Sequence, residues 1–441
     1  MNRYTLAKDY IEIATSDETA LKEDYRTALE RMAESTAIYK GEPIPFLHQP
    51  MFFTETELAG FDDLTSKLVV ILNKVIDRYV HNAEFRKKFG YSQLLEELVM
   101  VEPLYHVNVP VARFDIFMHE DGRFKFCELN ADGASGMNET NELDRVFLQS
   151  ELTKKMGEHY DIDYMELVES WVTCSMDIYH RHPDAIERPN IAIIDWKGGG
   201  TAIEFEEFRK AYERKGYHAV IADPRDVIYQ NGVLSYEGTP IHMVYRRLVT
   251  GEMMTRQGEI PDFIAACKDN SICMIGSVRS QIIHNKIVFK ILHDEDTKEY
   301  LTEEERQYIA DHIPWTVDFA GDCELYQKCL KEKDSFILKP RDLYAAHGVY
   351  AGADHNDDVW EEIAQKCFDN GYILQEFYPP PTMPMVTVGD DVTVDDYKNI
   401  IGLYMYDERF AGIYNRVSRN NVIASIHGSV NVASFKAVPK D

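Results

Sequence analysis

Residues 113–130 read RFDIFMHEDGRFKFCELN, and the rest of the chain is read outward from them. Asp121-Gly122 is a strong two-residue turn signal, because both central positions of a type I′ turn need φ > 0. Pairing Glu120 with Arg123 predicts a hairpin in which His119 faces Phe124, Phe117 faces Phe126, Asp115 faces Glu128 and Arg113 faces Asn130. Side chains alternate faces along a strand. Arg113, Asp115, Glu128 and Asn130 therefore share one face, at the end far from the turn. The opposite face carries Phe114, Ile116, Met118, Cys127 and Leu129, a core set. Two carboxylates directly opposite each other repel. Without a cation the pair is expected to weaken the protein, so that neutral substitutions raise its melting temperature. Arg113 offsets part of that repulsion, and a divalent cation offsets it better. Asp, Glu and an Asn carbonyl are hard oxygen ligands of the kind that hold Mg²⁺ together with substrate phosphates. The same residues also read as a solvated face with a surface ion pair, and the hairpin alone leans that way.

Composition narrows the partners. Of 441 residues, 47 are Lys or Arg and 75 are Asp or Glu, for a formal charge of −28. That balance argues against nucleic acid or an anionic membrane surface as a partner. It suits a cationic substrate such as a polyamine, and also plain solubility. Length gives a prior of about three domains. No apolar run reaches transmembrane length, and MNRYTLAKDYIEIATSDETA lacks the apolar stretch of a signal peptide. The seven cysteines are odd in number and show no CxxC spacing. They are expected as reduced thiols in a cytoplasmic protein.

Four regions follow along the chain. Residues 1–105 read as helical: Leu21, Tyr25, Ala28 and Met32 recur at helical spacing. Thr54 and Glu57 form a capping box ahead of Leu58, Phe61, Leu64, Leu68 and Ile71. Residues 106–185 hold the hairpin and a loop entering a helix, and end at the proline-containing linker HRHPDAIERPN. Residues 186–279 change character. PNIAIIDWKGGG is a buried strand ending in glycines, TAIEFEEFRKAYERKG a helix with Phe205, Phe208 and Tyr212 on one face, and YHAVIADP a second strand. Strand, glycine loop, helix and strand together predict a parallel α/β layer. Gly198, Gly199 and Gly200 either offer N–H groups to an anion or make a tight turn. Of Arg246 and Arg247, one is expected to point inward, to bind a carboxylate or to brace a loop.

In residues 280–441, HNKIVFKILHDE places Lys286 at the head of an apolar helix. DSFILKPRDLYAAHGVYAG places Lys339 at the end of a strand before a loop of small residues with Gly348 and Gly352. Such a loop can fold over phosphates while the lysine supplies charge. NGYILQEFYPPP is a strand ending in Gln375-Glu376, and IGLYMYDERFAGIYNRVS is hairpin-like and reaches Arg416.

The order R-x-D … E-x-N, an α/β unit, NK heading a helix, LKP with a small-residue loop, and I-L-Q-E-F resembles the circularly permuted ATP-grasp proteins. The nearest named branch is the glutathionylspermidine synthase-like ligases. The resemblance spans roughly residues 105–441. It implies an α/β (α+β) ATP-grasp fold in permuted order, with an inserted Rossmann-like unit and a helical N-terminal region. It also implies that Asp115, Glu128 and Asn130 are magnesium ligands and that Arg113 touches the transferred phosphate. Lys286 and Lys339 would hold the ATP phosphates, Gln375 and Glu376 would run along the adenine and ribose, and Arg416 lies near the arginine that faces the reacting carbonyl. His347 and Gly348 fall in the phosphate-covering loop. That loop departs from the family: Ala345-Ala346-His347-Gly348 stands where glycine, glycine, a basic residue and glycine are usual. Alanine restricts the backbone, and histidine supplies less charge at neutral pH than lysine or arginine. Weaker or pH-dependent nucleotide affinity is expected.

The implied reaction joins a carboxylate to an amine through an acyl phosphate, with ATP and Mg²⁺, a closing lid over 340–352, and release of ADP and phosphate. A peptide or a polyamine is among the candidate substrates, and fold-level analogy does not name them. Two other readings stay open: a small-molecule kinase with no amine step, and a nucleotide-binding scaffold without turnover. Retention of both lysines and all three metal-type side chains argues against the scaffold. A homodimer is expected only from the general frequency of two-fold assemblies.

Overall fold

Helices α1 (Arg3–Thr15) and α2 (Glu18–Glu34) open the chain, and α2 buries Leu21, Ala28 and Met32, as their spacing requires. A computed structural model describes residues 1–199, 201–343 and 346–440. After a short strand β1 (Met51–Phe53), the capping box of Thr54 and Glu57 starts α3 (Glu55–His81). Its buried face includes Phe61, Leu64, Leu68, Ile71 and Val75. Burying each such side chain contributes about 1.5–3 kcal/mol. Among the described residues no helix is long and apolar enough to cross a membrane.

The hairpin forms from β2 (Val111–Met118) and β3 (Phe124–Asn130), with one correction to its register. Arg113 faces Asn130, Phe114 faces Leu129 and Asp115 faces Glu128, but then Ile116 faces Phe126, Phe117 faces Lys125 and Met118 faces Phe124. A bulge at Cys127 absorbs the extra residue. The turn is wider than the two-residue type I′ expected. The Gly122 N–H donates to His119 O, the His119 N–H donates to Arg123 O, and Gly122 has φ +85°. This is a three-residue connection ending in a left-handed glycine. The Asp121 carboxylate favours it by accepting from the Arg123 N–H (3.0 Å). As a result Phe126, fully buried, takes the core place expected for Cys127. Lys125 turns to the face that carries Asp115.

Helix α4 (Met137–Leu148) and strand β4 (Tyr160–Tyr164) follow. Strand β5 (Asn190–Ile194), helix α5 (Ala202–Arg214), and strands β6 (His218–Ala222), β7 (Met243–Arg246) and β8 (Cys273–Ile275) build a four-stranded parallel sheet in the order β8-β7-β5-β6. Phe205, Phe208 and Tyr212 of α5 are buried, as their spacing predicts. At the glycine loop the Gly199 N–H bonds back to Trp196 O. Gly200 lies outside the described residues. Arg246 and Arg247 are both buried braces: Arg246 pairs with Asp132 (2.6 Å) and Arg247 with Glu204 (2.9 Å).

Helix α6 (Ile287–His293) begins directly after Lys286. Strands β9 (Thr316–Asp318), β10 (Phe336–Pro340), β11 (Tyr350–Ala351) and β12 (Tyr372–Glu376) form an antiparallel sheet in the order β9-β12-β10-β11. One face of it has its own core of Phe319, Phe336, Leu338, Trp360 and Leu374. The rest of the chain, β13 (Thr382–Val388), β14 (Val392–Tyr406), β15 (Arg409–Ser418), β16 (Val430–Val432) and β17 (Ser434–Pro439), returns to the hairpin. One six-stranded antiparallel sheet runs β16-β15-β14-β2-β3, with β13 also on β14. Strand β17 pairs parallel with β1 and antiparallel with β4. The class is mixed α/β.

Candidate active site

The site starts from a gap in the six-stranded sheet. Across the strands from Asp115 lie Gly402 on β14 and then Tyr414 on β15. A Cβ at position 402 would stand 2.8 Å from Arg113 Cδ and 2.9 Å from Asp115 Oδ1. Glycine leaves the space in which the Arg113 guanidinium crosses the sheet surface. There Arg113 Nε donates to Asp115 Oδ1 (2.8 Å), and Arg416 Nη2 reaches Asp115 Oδ2 from β15 (2.7 Å). Both guanidiniums lie on the Tyr414 ring, at 4.9 and 5.1 Å from its centroid. Asp115 is fully buried. Burial works against the charged form of Arg113, but the Asp115 carboxylate outweighs it and holds the guanidinium well above its ordinary range. Arg416 Nε is buried without a hydrogen-bond partner.

Asn130 links this clamp to Glu128. Its Nδ2 donates to Asp115 Oδ2 and to Glu128 Oε2, each at 3.4 Å. Lys286 Nζ pairs with Glu128 Oε1 (2.9 Å) and also donates to Leu343 O (2.7 Å). Burial raises the Glu128 carboxyl, but Lys286, Lys339 and His284 together hold it down at about 2. Lys339, at the end of β10, donates to Cys127 O (2.9 Å) and to Gln375 Oε1 (2.8 Å). Burial pulls its ammonium below the usual lysine range. Gln375 Nε2 in turn donates to Thr316 Oγ1 (2.9 Å). The Gln375 amide therefore holds Lys339 in place.

From Glu128 a cleft of roughly 680 Å³, its open mouth included, runs between β3 and the β10–β12 sheet. Lys286 and Lys339 line its inner end, and Ile337, Phe377, Tyr378, Ile400 and Ile423 give it apolar walls. Lys125 and Glu376 pair at 3.3 Å on its rim. A flat apolar slot with cations at one end suits a nucleotide, its base between the walls and its phosphates at the lysines.

Glu128, Lys286, Lys339, Gln375 and Glu376 thus line one cleft, and the clamp of Arg113, Asp115 and Arg416 lies behind it, joined to Glu128 through Asn130, although these residues come from five stretches of chain. Two loop residues stand apart. His347 is exposed, and Gly348, with φ +70°, fits against the Tyr372 hydroxyl. The cleft is lined instead by their neighbours Ala346 and Val349. Ala346 has φ +57°, a conformation that glycine adopts without strain, so alanine sits strained where a glycine was expected. Ala345 lies outside the described residues. Lys125, Gly402 and Tyr414 are site residues that sequence reasoning missed. Lys125 had a signal: strict alternation would have buried it and exposed Phe126.

The donor set can be tested for a divalent cation. Asp115 and Glu128 bring two carboxylates together, as a small hard cation requires, and Asn130, which turns its Nδ2 to both, would add an oxygen with its amide turned over. Their two carboxylates are outnumbered by four cationic side chains, which leaves an excess of positive charge complementary to a metal-bound polyphosphate. The residues present fit Mg²⁺ held with nucleotide phosphates.

No family model matches the chain, and no curated protein matches it. A solved structure of a glutathione synthetase-like effector from Globodera pallida, in its apo form, aligns with a TM-score of 0.61 at 13% identity, covering 95% of this chain and 98% of that one. Two more distant structures are D-alanyl-alanine synthetase A from Vibrio cholerae and the macrocyclase MdnC from Microcystis aeruginosa bound with its precursor peptide MdnA. Their TM-scores are 0.28 and 0.30 at 13% and 12% identity, covering 48% and 55% of this chain and 68% and 90% of theirs. The first likeness shows a shared fold over nearly the whole chain. The other two are too slight to carry an argument.

Proposed function

We propose that the chain is an ATP- and Mg²⁺-dependent ligase joining a carboxylate to an amine through an acyl phosphate, in the permuted ATP-grasp arrangement of the glutathionylspermidine synthase-like branch. One observation carries this reading. Glu128, Lys286 and Lys339 line a cleft with apolar walls, and Asn130 joins them to the clamp of Asp115, Arg113 and Arg416 behind it. The whole-length fold likeness to a protein titled glutathione synthetase-like supports it. So does chain order, because the metal-type hairpin precedes both lysines. The working division is a helical region at 1–105, the metal hairpin part at 106–185, a Rossmann-like substrate part at 186–279 and the nucleotide-binding part at 280–441.

Asp115, Glu128 and Asn130 would hold the metal. When bound, Mg²⁺ would supply Lewis-acid charge that offsets the negative charge of the nucleotide phosphates. Lys286 and Lys339 bind the phosphates from two sides of the cleft. Gln375 keeps the Lys339 ammonium aimed inward, and Glu376 stands at the ribose side. Arg113 neutralises the equatorial oxygens of the phosphoryl group as it moves to the substrate carboxylate. Arg416, with an unpartnered Nε–H, stabilises the oxyanion formed when the amine attacks the acyl phosphate. The loop over 340–352, tied to Lys286 through Leu343 O, covers the acyl phosphate against water.

The test is ADP release measured over a panel of carboxylates crossed with amines. Release that needs both substrates establishes the ligase. Release with one substrate alone makes the protein a kinase, and no release with any pair removes the catalytic reading.

A further inference from the structure

The loop that follows the metal-type hairpin, Asp132 to Gly136, is gripped at almost every residue by the parallel α/β layer. Asp132 pairs with Arg246 and accepts from the Thr250 N–H (2.6 Å). A Cβ on Gly133 would stand 2.8 Å from Arg247 O. Ala134 O accepts from Arg247 Nη1. Glu204, on α5 and almost fully buried, accepts from the N–H groups of Gly136 (2.9 Å), Met137 (2.7 Å) and Asn138 (3.2 Å) with one carboxylate oxygen. Its other oxygen accepts from Arg247 Nη2 (2.9 Å). A side chain from the α/β layer thereby caps the first turn of α4, whose N-terminal N–H groups otherwise lack partners.

The residue left between these grips is Ser135. Its carbonyl faces the other way, toward the six-stranded sheet, and accepts from Arg113 Nη1 (2.9 Å) and from the Tyr404 hydroxyl (2.7 Å). Arg113 therefore has two fixed acceptors, Asp115 on its own strand and Ser135 O on the loop. The place of the second is set by Glu204 and Arg247, which touch neither the cleft nor the metal-type side chains. Arg247 is itself held among the rings of Phe205, Phe208 and Tyr245.

We infer that Glu204 and Arg247 are positioning residues of the phosphoryl-transfer site, acting through the Ser135 carbonyl on the Arg113 guanidinium. The α/β layer is then part of the catalytic apparatus and not only a platform for substrate. The kinetic part of this inference rests on the ligase reading; its physical part does not. Partners that orient a reacting group from behind typically affect activity by about tenfold to a hundredfold.

The experiment uses the isotope-labelled full chain and follows the Arg113 Nε–H signal, assigned by its loss in Arg113→Lys. Glu204→Gln should move that signal and lower ADP formation about tenfold to a hundredfold, with Mg–ATP affinity unchanged by calorimetry. Tyr404→Phe removes only the hydroxyl bond to Ser135 O. It should shift the signal less, in the same direction, at wild-type melting temperature. Should Glu204→Gln fail to fold, Tyr404→Phe carries the test. An unmoved Arg113 signal in a folded variant overturns the inference, as does a parallel loss of turnover and nucleotide affinity. If wild-type protein forms no ADP with any substrate pair, the ligase reading fails, and the Arg113 signal decides the positioning role by itself.

Discussion

Behind one wall of the cleft, Asp115 is fully buried and gripped by two guanidiniums that share the Tyr414 ring. On the other wall, Lys339 and Gln375 belong to a sheet with a separate apolar core. That wall meets the hairpin side through the apolar cluster that holds Ile373 together with Phe114 and Phe126, and through polar ties: Lys339 to Cys127 O, Lys125 to Glu376 and, from the 419–429 segment, Asn421 to Asp354 (2.6 Å). The first wall is held by buried, paired charge, which tolerates little displacement. The second adds to its packed Ile373 long side chains and single hydrogen bonds, which can be exchanged for bonds to a ligand. Under the proposed ligase reading, the difference assigns the chemistry to the hairpin side and nucleotide capture to the more adaptable wall.

The largest effect expected from breaking this contrast comes from Asp115→Asn. It should abolish ADP formation and also destabilise the metal-free protein by about 3–5 kcal/mol, because two buried guanidiniums lose their counter-charge. Denaturant unfolding in EDTA measures it. This reverses the sign expected from the sequence, where opposed carboxylates alone would make neutral variants more stable. A variant that melts higher than wild type would show that the hairpin wall is not locked.

Next come Lys286→Met and Lys339→Met. Each should weaken ATP binding by about 1.5–3 kcal/mol, the range for hydrogen bonds to charged groups, with the fold retained. Calorimetry that finds unchanged binding in both would detach the nucleotide from this cleft.

A smaller effect concerns pH. The Glu128 carboxyl is held at about 2 against an ordinary 4.5. A carboxyl with a depressed folded-state pKa contributes stability above its unfolded value and loses it as pH falls. The stability gap between wild type and Glu128→Gln should be constant above about 4.5 and close toward about 2. Melting curves across that range read it, and a gap independent of pH would mean that Lys286 does not pair with Glu128 in solution.

The smallest effect is that of Asn421→Ala, which removes one exposed tie between the walls. A loss of about 0.5–1.5 kcal/mol is the usual scale for such a bond, so the KM for ATP should rise only a few-fold. A large fall in turnover instead would mean that the second wall is as rigid as the first.

Much of this site was legible before any coordinates. The facing of Asp115 with Glu128 and of Arg113 with Asn130 follows from alternation, and Lys286, Lys339 and Gln375 lie at element ends that the apolar runs mark out. What alternation cannot show is where a bulge falls, so Cys127 was placed in the core and Lys125 was overlooked. Nor does it show long-range neighbours. Gly402 looks like any glycine in a strand until Arg113, Asp115 and Tyr414 surround it. The braces at Arg246 and Arg247 had two readings because their acid partners, Asp132 and Glu204, are distant in sequence. The loop residues His347 and Gly348 were drawn toward the phosphates by resemblance, whereas Ala346 and Val349 line the cleft.

The bulge at Cys127 also constrains how this hairpin can change. It acts as a parity element: the count of residues between the turn and Glu128 decides whether Lys125 or Phe126 looks into the cleft. Deleting Cys127 would remove the bulge and leave the facings as they are, Glu128 on Asp115, Phe126 on Ile116 and Lys125 on Phe117; it is the present sequence paired without a bulge that would bring the lysine to the core and the phenylalanine to the charged rim. A single insertion between Phe124 and Phe126 would flip the residues on the turn side of it to the other face. Length variation in this segment is therefore absorbed at the bulge, or in the turn itself, where Glu120, Asp121 and Gly122 are exposed.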